Sequence, residues 1–363
     1  MIWRRRQART PDPVCRAPFS SLHLDQHGDA RPCCRSTLVI GNVRDQSLAA
    51  IQSGPVASDL REAILRGDLS LGCEFCAHAA RNGDHSSTYA RRFDDLPMVD
   101  AGSPPVQLEI ALSNTCNLQC TMCNGEWSSA IRSQREHLPP LPKAYSDAFF
   151  DELAGHLGAL RRVELYGGEP FLGREPLRLL ELLVEQAPQV EVAVTTNGTI
   201  WNDRVARLME ALRISIMVSV DGATRGTYES IRVGASWDDV TRNIERFRAA
   251  CKVGGTRFGL AHCLMVQNWH EFPEMVAWAA SLGADLFVNT VDYPLEVSLF
   301  ALPPDELRGV VAALEAREGE VRSLPRDWVT VWSDELGRLR RHLDDLDDLD
   351  TEGATPVQVR GPA

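Results

Sequence analysis

The sequence predicts an α/β fold in which strands alternate with helices over residues 106–300. Six short apolar or β-branched segments are separated by amphipathic stretches such as EPLRLLELLVEQ and SWDDVTRNIERFRAA. This spacing is typical of parallel strands joined by right-handed crossovers. Such units build either an open partial barrel or a doubly wound sheet, and in both the ligand binds at the carboxyl ends of the strands. The predicted strands are 106–112, 162–166, 190–195, 214–220, 257–264 and 285–291.

Composition divides the chain of 363 residues into four regions. Residues 1–83 are rich in cysteine and in turn-forming residues, and residues 84–105 read as a linker ending in Ser, Gly and Pro. The strand–helix region follows, and residues 301–363 are expected to form C-terminal helices and a tail.

Charge and hydropathy exclude several classes of protein. A formal net charge of −12 argues against a nucleic-acid partner, because the phosphate backbone requires clustered positive charge. No apolar run reaches the roughly 18 residues that a membrane span requires, and no secretory signal precedes residue 30. A cytoplasmic location is therefore expected, where ten cysteines are better explained as metal ligands than as disulfides.

The central motif places three cysteines within eight residues, directly after the first predicted strand: Cys116, Cys120 and Cys123. Three thiolates on one loop can hold three irons of a cubane cluster, whereas such clusters are normally held by four cysteines. The missing ligand indicates an open metal position, as catalytic zinc sites also have. A zinc site is the alternative interpretation of these cysteines.

The Cys-x-x-x-Cys-x-x-Cys spacing resembles the radical S-adenosylmethionine (radical SAM) superfamily. The resemblance implies a partial (β/α)6 barrel and a [4Fe–4S] cluster whose open iron is chelated by S-adenosylmethionine. Reductive cleavage of this cofactor in the family gives a 5′-deoxyadenosyl radical that abstracts a substrate hydrogen atom, so the cofactor carries the difficult chemistry.

Four further segments at strand ends resemble cofactor-binding elements of this family. Gly167, Gly168, Glu169 and Pro170 match its Gly-Gly-Glu-Pro turn, which contacts the methionine ammonium; paired glycines allow close backbone approach and Glu accepts from a cation. Asn197, Ser219 and Asp221 match positions that hold the ribose and methionine portions. Arg232 matches an arginine that pairs with the cofactor carboxylate, and Met122 a position near adenine. Ordinary turns and a solvated arginine are the alternatives.

The N-terminal cysteines resemble the SPASM/twitch accessory module of the same superfamily, here placed before the barrel. Its ligands to a second, auxiliary [4Fe–4S] cluster are then Cys15, Cys33, Cys73 and Cys76. A hairpin around Gly28 would bring Cys15 and Cys33 together. Cys34 is the alternative to Cys33, because adjacent residues on a strand point in opposite directions. A structural zinc site with four cysteines is the alternative to the cluster.

The resemblance implies an enzyme that modifies a peptide, a sugar or another small metabolite, reduced by a partner such as flavodoxin or ferredoxin. Cys263, on the fifth strand of the repeat, is a candidate hydrogen donor to a substrate radical, although a buried inert cysteine is the commoner situation. The competing hypothesis is a non-catalytic iron–sulfur or zinc protein, such as a redox sensor.

Overall fold

The computed structural model describes residues 14–81 and 88–352. Residues 1–13, part of the predicted linker and the end of the predicted tail lie outside the described residues. Within them a mixed sheet has the strand order β3-β2-β1-β4-β5-β6-β7-β8-β9. The strands are β1 (Ser21–Leu24), β2 (Asp29–Arg31), β3 (Gly41–Asn42), β4 (Gln107–Ile110), β5 (Arg162–Leu165), β6 (Glu191–Thr196), β7 (Arg213–Ser219), β8 (Phe258–Leu264) and β9 (Asp285–Thr290).

Helices separate the strands from β4 onward and continue after β9. The helices of the described chain are α1 (Ala17–Ser20), α2 (Leu48–Ser53), α3 (Pro55–Leu65), α4 (Glu74–Arg81), α5 (Asp147–Ala154), α6 (Arg174–Gln186), α7 (Asp203–Ala211), α8 (Arg225–Ile231), α9 (Trp237–Gly254), α10 (Phe272–Leu282), α11 (Pro304–Ala316), α12 (Glu318–Val321) and α13 (Arg326–Glu352). All six predicted strands are present, as β4 to β9. The predicted (β/α)6 alternation of a partial barrel is confirmed.

The chain divides into two compact units. The first contains Met1–Ser113, Leu141–Gly167 and Gly173–Val192. In it β1 pairs antiparallel with β2, and also pairs parallel with β4, which in turn pairs parallel with β5. The cysteine-rich region therefore adds its hairpin to the sheet that contains β4, a connection that the sequence pattern did not predict.

The register of these strands separates an apolar face from a polar one. Leu22 aligns with Leu108, and Leu108 with Val163, and all three are buried. One residue further along, His23, Glu109 and Glu164 align on the opposite face, because side chains alternate along a strand.

The segment predicted as a linker is packed where the structure describes it. Tyr89–Phe93 form a short 3₁₀ helix, and the side chains of Phe93 and Leu96 are buried in one cluster with Ala17 and Val106. This part of the chain therefore contributes to the core of the first unit.

The second unit contains Asn114–Pro140, Gly168–Leu172 and Ala193–Ala363. Its strands β7, β8 and β9 pair in parallel. Helices α7, α8 and α9 each begin at a capping side chain that accepts a backbone N–H from the first turn, Asn202, Thr224 and Ser236 respectively. The caps place each helix start a few residues beyond a strand end.

The C-terminal helices pack within the second unit. Trp332 of α13 is buried and stacks on Phe272 of α10, with ring centroids 5.1 Å apart. Leu307 of α11 and Leu264 of β8 belong to the same core cluster. No helix within residues 14–81 and 88–352 is both long and apolar enough to cross a membrane.

Candidate active site

The loop that follows β4 carries Cys116, Cys120 and Cys123. Its fold is held by its own polar groups. The Asn114 amide donates to the Gly125 carbonyl (2.8 Å), and the Ser129 N–H donates to the Asn114 carbonyl (2.7 Å). These two bonds close the loop around the three thiols, whose sulfur atoms form no disulfide.

Burial keeps these three thiols neutral in the absence of a positive charge. It raises the pKa of all three, that of Cys120 to about 11 and that of Cys123 to about 12. Cys116 and Cys120 also contribute to the shift of Cys123, so the three sulfur atoms lie within electrostatic reach of one another. A bound metal would favour the thiolates, since a coordinating thiol is deprotonated.

Arg232 provides positive charge beside this loop. Its guanidinium Nη2 lies 2.8 Å from Asp221 Oδ2, and its Nη1 lies 3.8 Å from Cys120 Sγ. The side chain of Asp221 is fully buried and that of Arg232 is 9% exposed. The resemblance implied that both residues meet the cofactor, whereas the structure pairs them with each other.

Gly168 lies against the cysteine loop in a conformation that requires glycine. Its φ is +40°, and a Cβ atom there would overlap the carbonyl oxygen of Thr115 and lie 2.9 Å from the carbonyl carbon of Asn114. Gly167 also has a positive φ, of +77°. The Gly-Gly turn thus permits a backbone approach that any side chain would prevent.

Glu169 has partners different from those that the resemblance implied. Its buried carboxylate accepts hydrogen bonds from the Thr196 hydroxyl and the Asn197 N–H, both at 2.7 Å, and from the Phe171 N–H at 3.0 Å. Its backbone N–H donates to the Thr115 carbonyl at 2.6 Å. Glu169 therefore ties the turn to the end of β6, and Pro170, which follows it, is buried.

The ends of β6 and β7 face the cysteine loop differently. Asn197 reaches it, because its Nδ2 donates to Asn117 Oδ1 (2.9 Å) and lies 3.9 Å from Cys116 Sγ. Ser219 is half-buried at the end of β7. Asp221 accepts from the Cys263 N–H at 2.7 Å in addition to pairing with Arg232.

Met122 and Cys263 pack on the same apolar cluster, formed by Ile231, Met265, Val291 and Val297. Burial raises the pKa of the Cys263 thiol, and Asp221 raises it further. This thiol is therefore protonated over the physiological range of pH.

The N-terminal cysteines belong to the first unit. The Thr37 N–H donates to the Gly72 carbonyl (3.0 Å), which joins the loop after β2 to the turn before Cys73. Burial raises the pKa of Cys15 to about 12, with further contributions from Cys76 and Cys73.

Cys33 and Cys34 have different surroundings. Burial raises the pKa of Cys33, and Cys15 contributes to that shift. Cys34 points elsewhere: its backbone N–H donates to the Glu109 carboxylate (2.8 Å) and its thiol to the Tyr89 hydroxyl (3.1 Å). Across the described parts of the chain, no three Cys, His, Asp or Glu side chains approach closely enough to enclose a single metal ion.

Sequence reasoning missed Tyr228, whose hydroxyl is buried and has no hydrogen-bond partner within the described residues. Tyr228 precedes Arg232 by four residues, a helical spacing that places the two on one face. That spacing was the available signal.

Two family models match the chain. Residues 110–279 match the radical SAM superfamily, and residues 15–77 match SPASM, an iron–sulfur cluster-binding domain. The chain belongs to the radical SAM superfamily of enzymes, and its cluster-binding domain precedes the barrel. Its cofactors are S-adenosylmethionine and [4Fe–4S] clusters.

Curated relatives match mainly the barrel. A probable GTP 3′,8-cyclase of Methanocaldococcus jannaschii is 23% identical over 218 residues, 59% of this chain and 65% of that protein. The GTP 3′,8-cyclase of Ectopseudomonas mendocina is 30% identical over 181 residues, 49% of this chain and 52% of that protein. The chain thus spans between half and two thirds of the length of these relatives.

Solved structures of the same kind are more distant. The enzyme anSMEcpe with bound AdoMet has a TM-score of 0.43 at 18% identity, covering 60% of this chain and 61% of that one. Streptococcus suis SuiB bound to S-adenosylmethionine has a TM-score of 0.43 at 16% identity, covering 74% and 61%.

Proposed function

We propose that the chain cleaves S-adenosylmethionine reductively at a cluster held by Cys116, Cys120 and Cys123, and abstracts a hydrogen atom from a peptide or small-metabolite substrate. The observation that carries this proposal is the cysteine loop itself. Three free thiols lie within electrostatic reach of one another, and a buried guanidinium lies beside one of them. The cofactor supplies the 5′-deoxyadenosyl radical.

The chain's own residues hold and shape this site. We assign Gly167, Gly168, Glu169 and Pro170 to the wall of the cofactor pocket, where Glu169 acts by holding the turn against β6. Asn197 lies beside Cys116 and is assigned to cofactor binding together with Ser219 and Met122. Asp221 and Arg232 act as a pair next to Cys120.

We infer that Cys15, Cys33, Cys73 and Cys76 hold the auxiliary cluster. The shared electrostatic surroundings of Cys15 with Cys33, Cys73 and Cys76 support this set. Cys34 is a poorer ligand candidate, because its thiol bonds to Tyr89 and its N–H to Glu109.

Cys263 is proposed to return a hydrogen atom to the substrate radical. Its thiol is protonated, as a donor must be, and its strand neighbour across the β8–β9 pair is Asn289. On β9 the Phe287 side chain is 54% exposed and free to contact a substrate.

The decisive experiment uses S-adenosylmethionine alone. The anaerobically purified chain is reduced with dithionite or with a flavodoxin or ferredoxin system, and 5′-deoxyadenosine is measured by mass spectrometry. The proposal predicts slow formation in the unmodified chain and none when Cys116, Cys120 and Cys123 are replaced by Ala. A non-catalytic cluster or zinc protein would form none in either case.

Substrate class is tested in the same assay. Candidate peptides and sugars are added, with GTP as a further probe because the curated relatives are named GTP 3′,8-cyclase. A true substrate should accelerate 5′-deoxyadenosine formation and, in deuterated form, transfer deuterium to it. Cys263→Ala should leave that transfer intact while abolishing incorporation of solvent deuterium into the product.

A further inference from the structure

We propose that Arg232 and Tyr228 set the reduction potential of the cluster held by Cys116, Cys120 and Cys123, by donating hydrogen bonds to its sulfur atoms. In this arrangement Asp221 is a positioning residue that holds Arg232. The inference rests on the proposed function, because it requires that cluster.

The first observation is the incomplete hydrogen bonding of Arg232. Nη2 is paired with Asp221, whereas Nε is buried and has no partner within the described residues. Nη1 has Cys120 Sγ as an acceptor, at 3.8 Å. A guanidinium carries five N–H donors, and a buried donor without an acceptor costs free energy. The side chain therefore presents donors to the space around Cys120, where the sulfides of a cluster would accept them.

The second observation concerns Tyr228, one helical turn earlier. The Arg232 N–H donates to the Tyr228 carbonyl (2.8 Å), so both side chains project from the same face at the end of α8. The Tyr228 ring is fully buried and packs on Trp237, with centroids 5.4 Å apart. Its hydroxyl has no partner in the described chain, and Cys120 and Arg232 both influence its pKa. A second unsatisfied donor thus lies within electrostatic reach of the same thiol.

Asp221 gives the proposal its distinctive sign. Hydrogen bonds to cluster sulfur and positive charge nearby favour the reduced, more negative cluster, and so raise its potential. The Asp221 carboxylate opposes part of that charge while it fixes the guanidinium. Removing Arg232 should therefore lower the potential, whereas neutralising Asp221 should raise it.

The experiment is a potentiometric titration of the full chain followed by electron paramagnetic resonance. The signal that changes on addition of S-adenosylmethionine identifies the cluster concerned and separates it from the auxiliary one. Arg232→Met and Tyr228→Phe should move its midpoint to more negative potential, and Asp221→Asn to more positive potential. Arg232→Lys should give a smaller negative shift, because it keeps the charge but loses the fork of donors.

Matched controls lie in the same unit. Arg225→Met removes an exposed arginine of α8 that pairs with Asp238, and Tyr293→Phe removes the hydroxyl of an exposed tyrosine. Both should leave the midpoint unchanged.

Equal midpoints in all variants, or shifts of the same sign for Arg232→Met and Asp221→Asn, would overturn the tuning role while leaving the proposed function standing. Absence of any signal sensitive to S-adenosylmethionine in the unmodified chain would contradict both. Should Asp221→Asn fail to retain its cluster, the conservative Tyr228→Phe variant decides, because a role limited to packing predicts no shift.

Discussion

Gly168 is the residue at which backbone conformation limits the site most severely. Its φ of +40° and its approach to Asn114 and Thr115 leave no room for a side chain. We expect Gly168→Ala to lower the free energy of unfolding by about 2–4 kcal/mol, from strain and overlap together. Denaturant unfolding under anaerobic conditions measures this loss, and iron analysis should show that less metal is retained.

Gly226 provides the matched control for this substitution. It lies in α8, and a Cβ added there meets no atom within 4 Å. Gly226→Ala should be neutral or stabilising by up to about 1 kcal/mol, because Ala is the better helix former. Equal losses in the two variants would contradict the role given to Gly168.

Cys33 and Cys34 are adjacent in sequence but separable by experiment. Cys33→Ser should remove most of the auxiliary cluster, because Ser replaces a thiolate ligand. Cys34→Ser should retain it, since the backbone bond from residue 34 to Glu109 does not require the thiol. Iron and sulfide are measured in chains that also lack Cys116, Cys120 and Cys123. The reverse ranking would assign the ligand to Cys34.

Among elements, α8 is positioned by a carboxylate from outside the helix. Glu271 accepts from the N–H groups of Ala223 and Thr224 and from the hydroxyls of Thr224 and Thr227. These bonds lower the pKa of Glu271 and satisfy donors at the start of the helix. Because α8 also carries Tyr228 and leads to Arg232, Glu271 fixes the element from which both donors project.

Glu271→Gln should therefore destabilise the chain by about 1.5–3 kcal/mol at pH 7, since hydrogen bonds to a charged acceptor are lost. The control is Glu274→Gln, whose carboxylate makes an exposed ion pair with Arg317 and should contribute no more than about 1 kcal/mol. Urea unfolding of both variants measures the difference. Similar effects would show that Glu271 does not hold α8.

For the molecule as a whole, the C-terminal helices are part of the packed structure. Trp332 of α13 lies in one core with residues of β8, α10 and α11. We expect Trp332→Ala to cost about 3–5 kcal/mol through the cavity it leaves, and Trp332→Phe considerably less. Thermal unfolding checks both, and an unchanged midpoint for Trp332→Ala would show that α13 is dispensable.

Sequence alone predicted the strands and the cysteine motifs, because both are local. Apolar periodicity locates β4 to β9, and the ligand spacing of Cys116, Cys120 and Cys123 is contiguous. The partners of Glu169 and Arg232 were not predictable in this way. Glu169 bonds to Thr196, 27 residues away, and Arg232 pairs with Asp221 across a turn and a helix. Such pairings depend on tertiary structure, which periodicity does not encode.

The parallel pairing of β1 with β4 has a consequence for shortening this protein. Removal of the cysteine-rich region would strip β4 of the neighbour to which it is hydrogen-bonded from Ser21 to Leu24. The bared row of amides and carbonyls would be free to recruit strands from other molecules, as uncovered sheet margins do. A trimmed barrel would thus be lost to precipitation before its radical chemistry could be assayed.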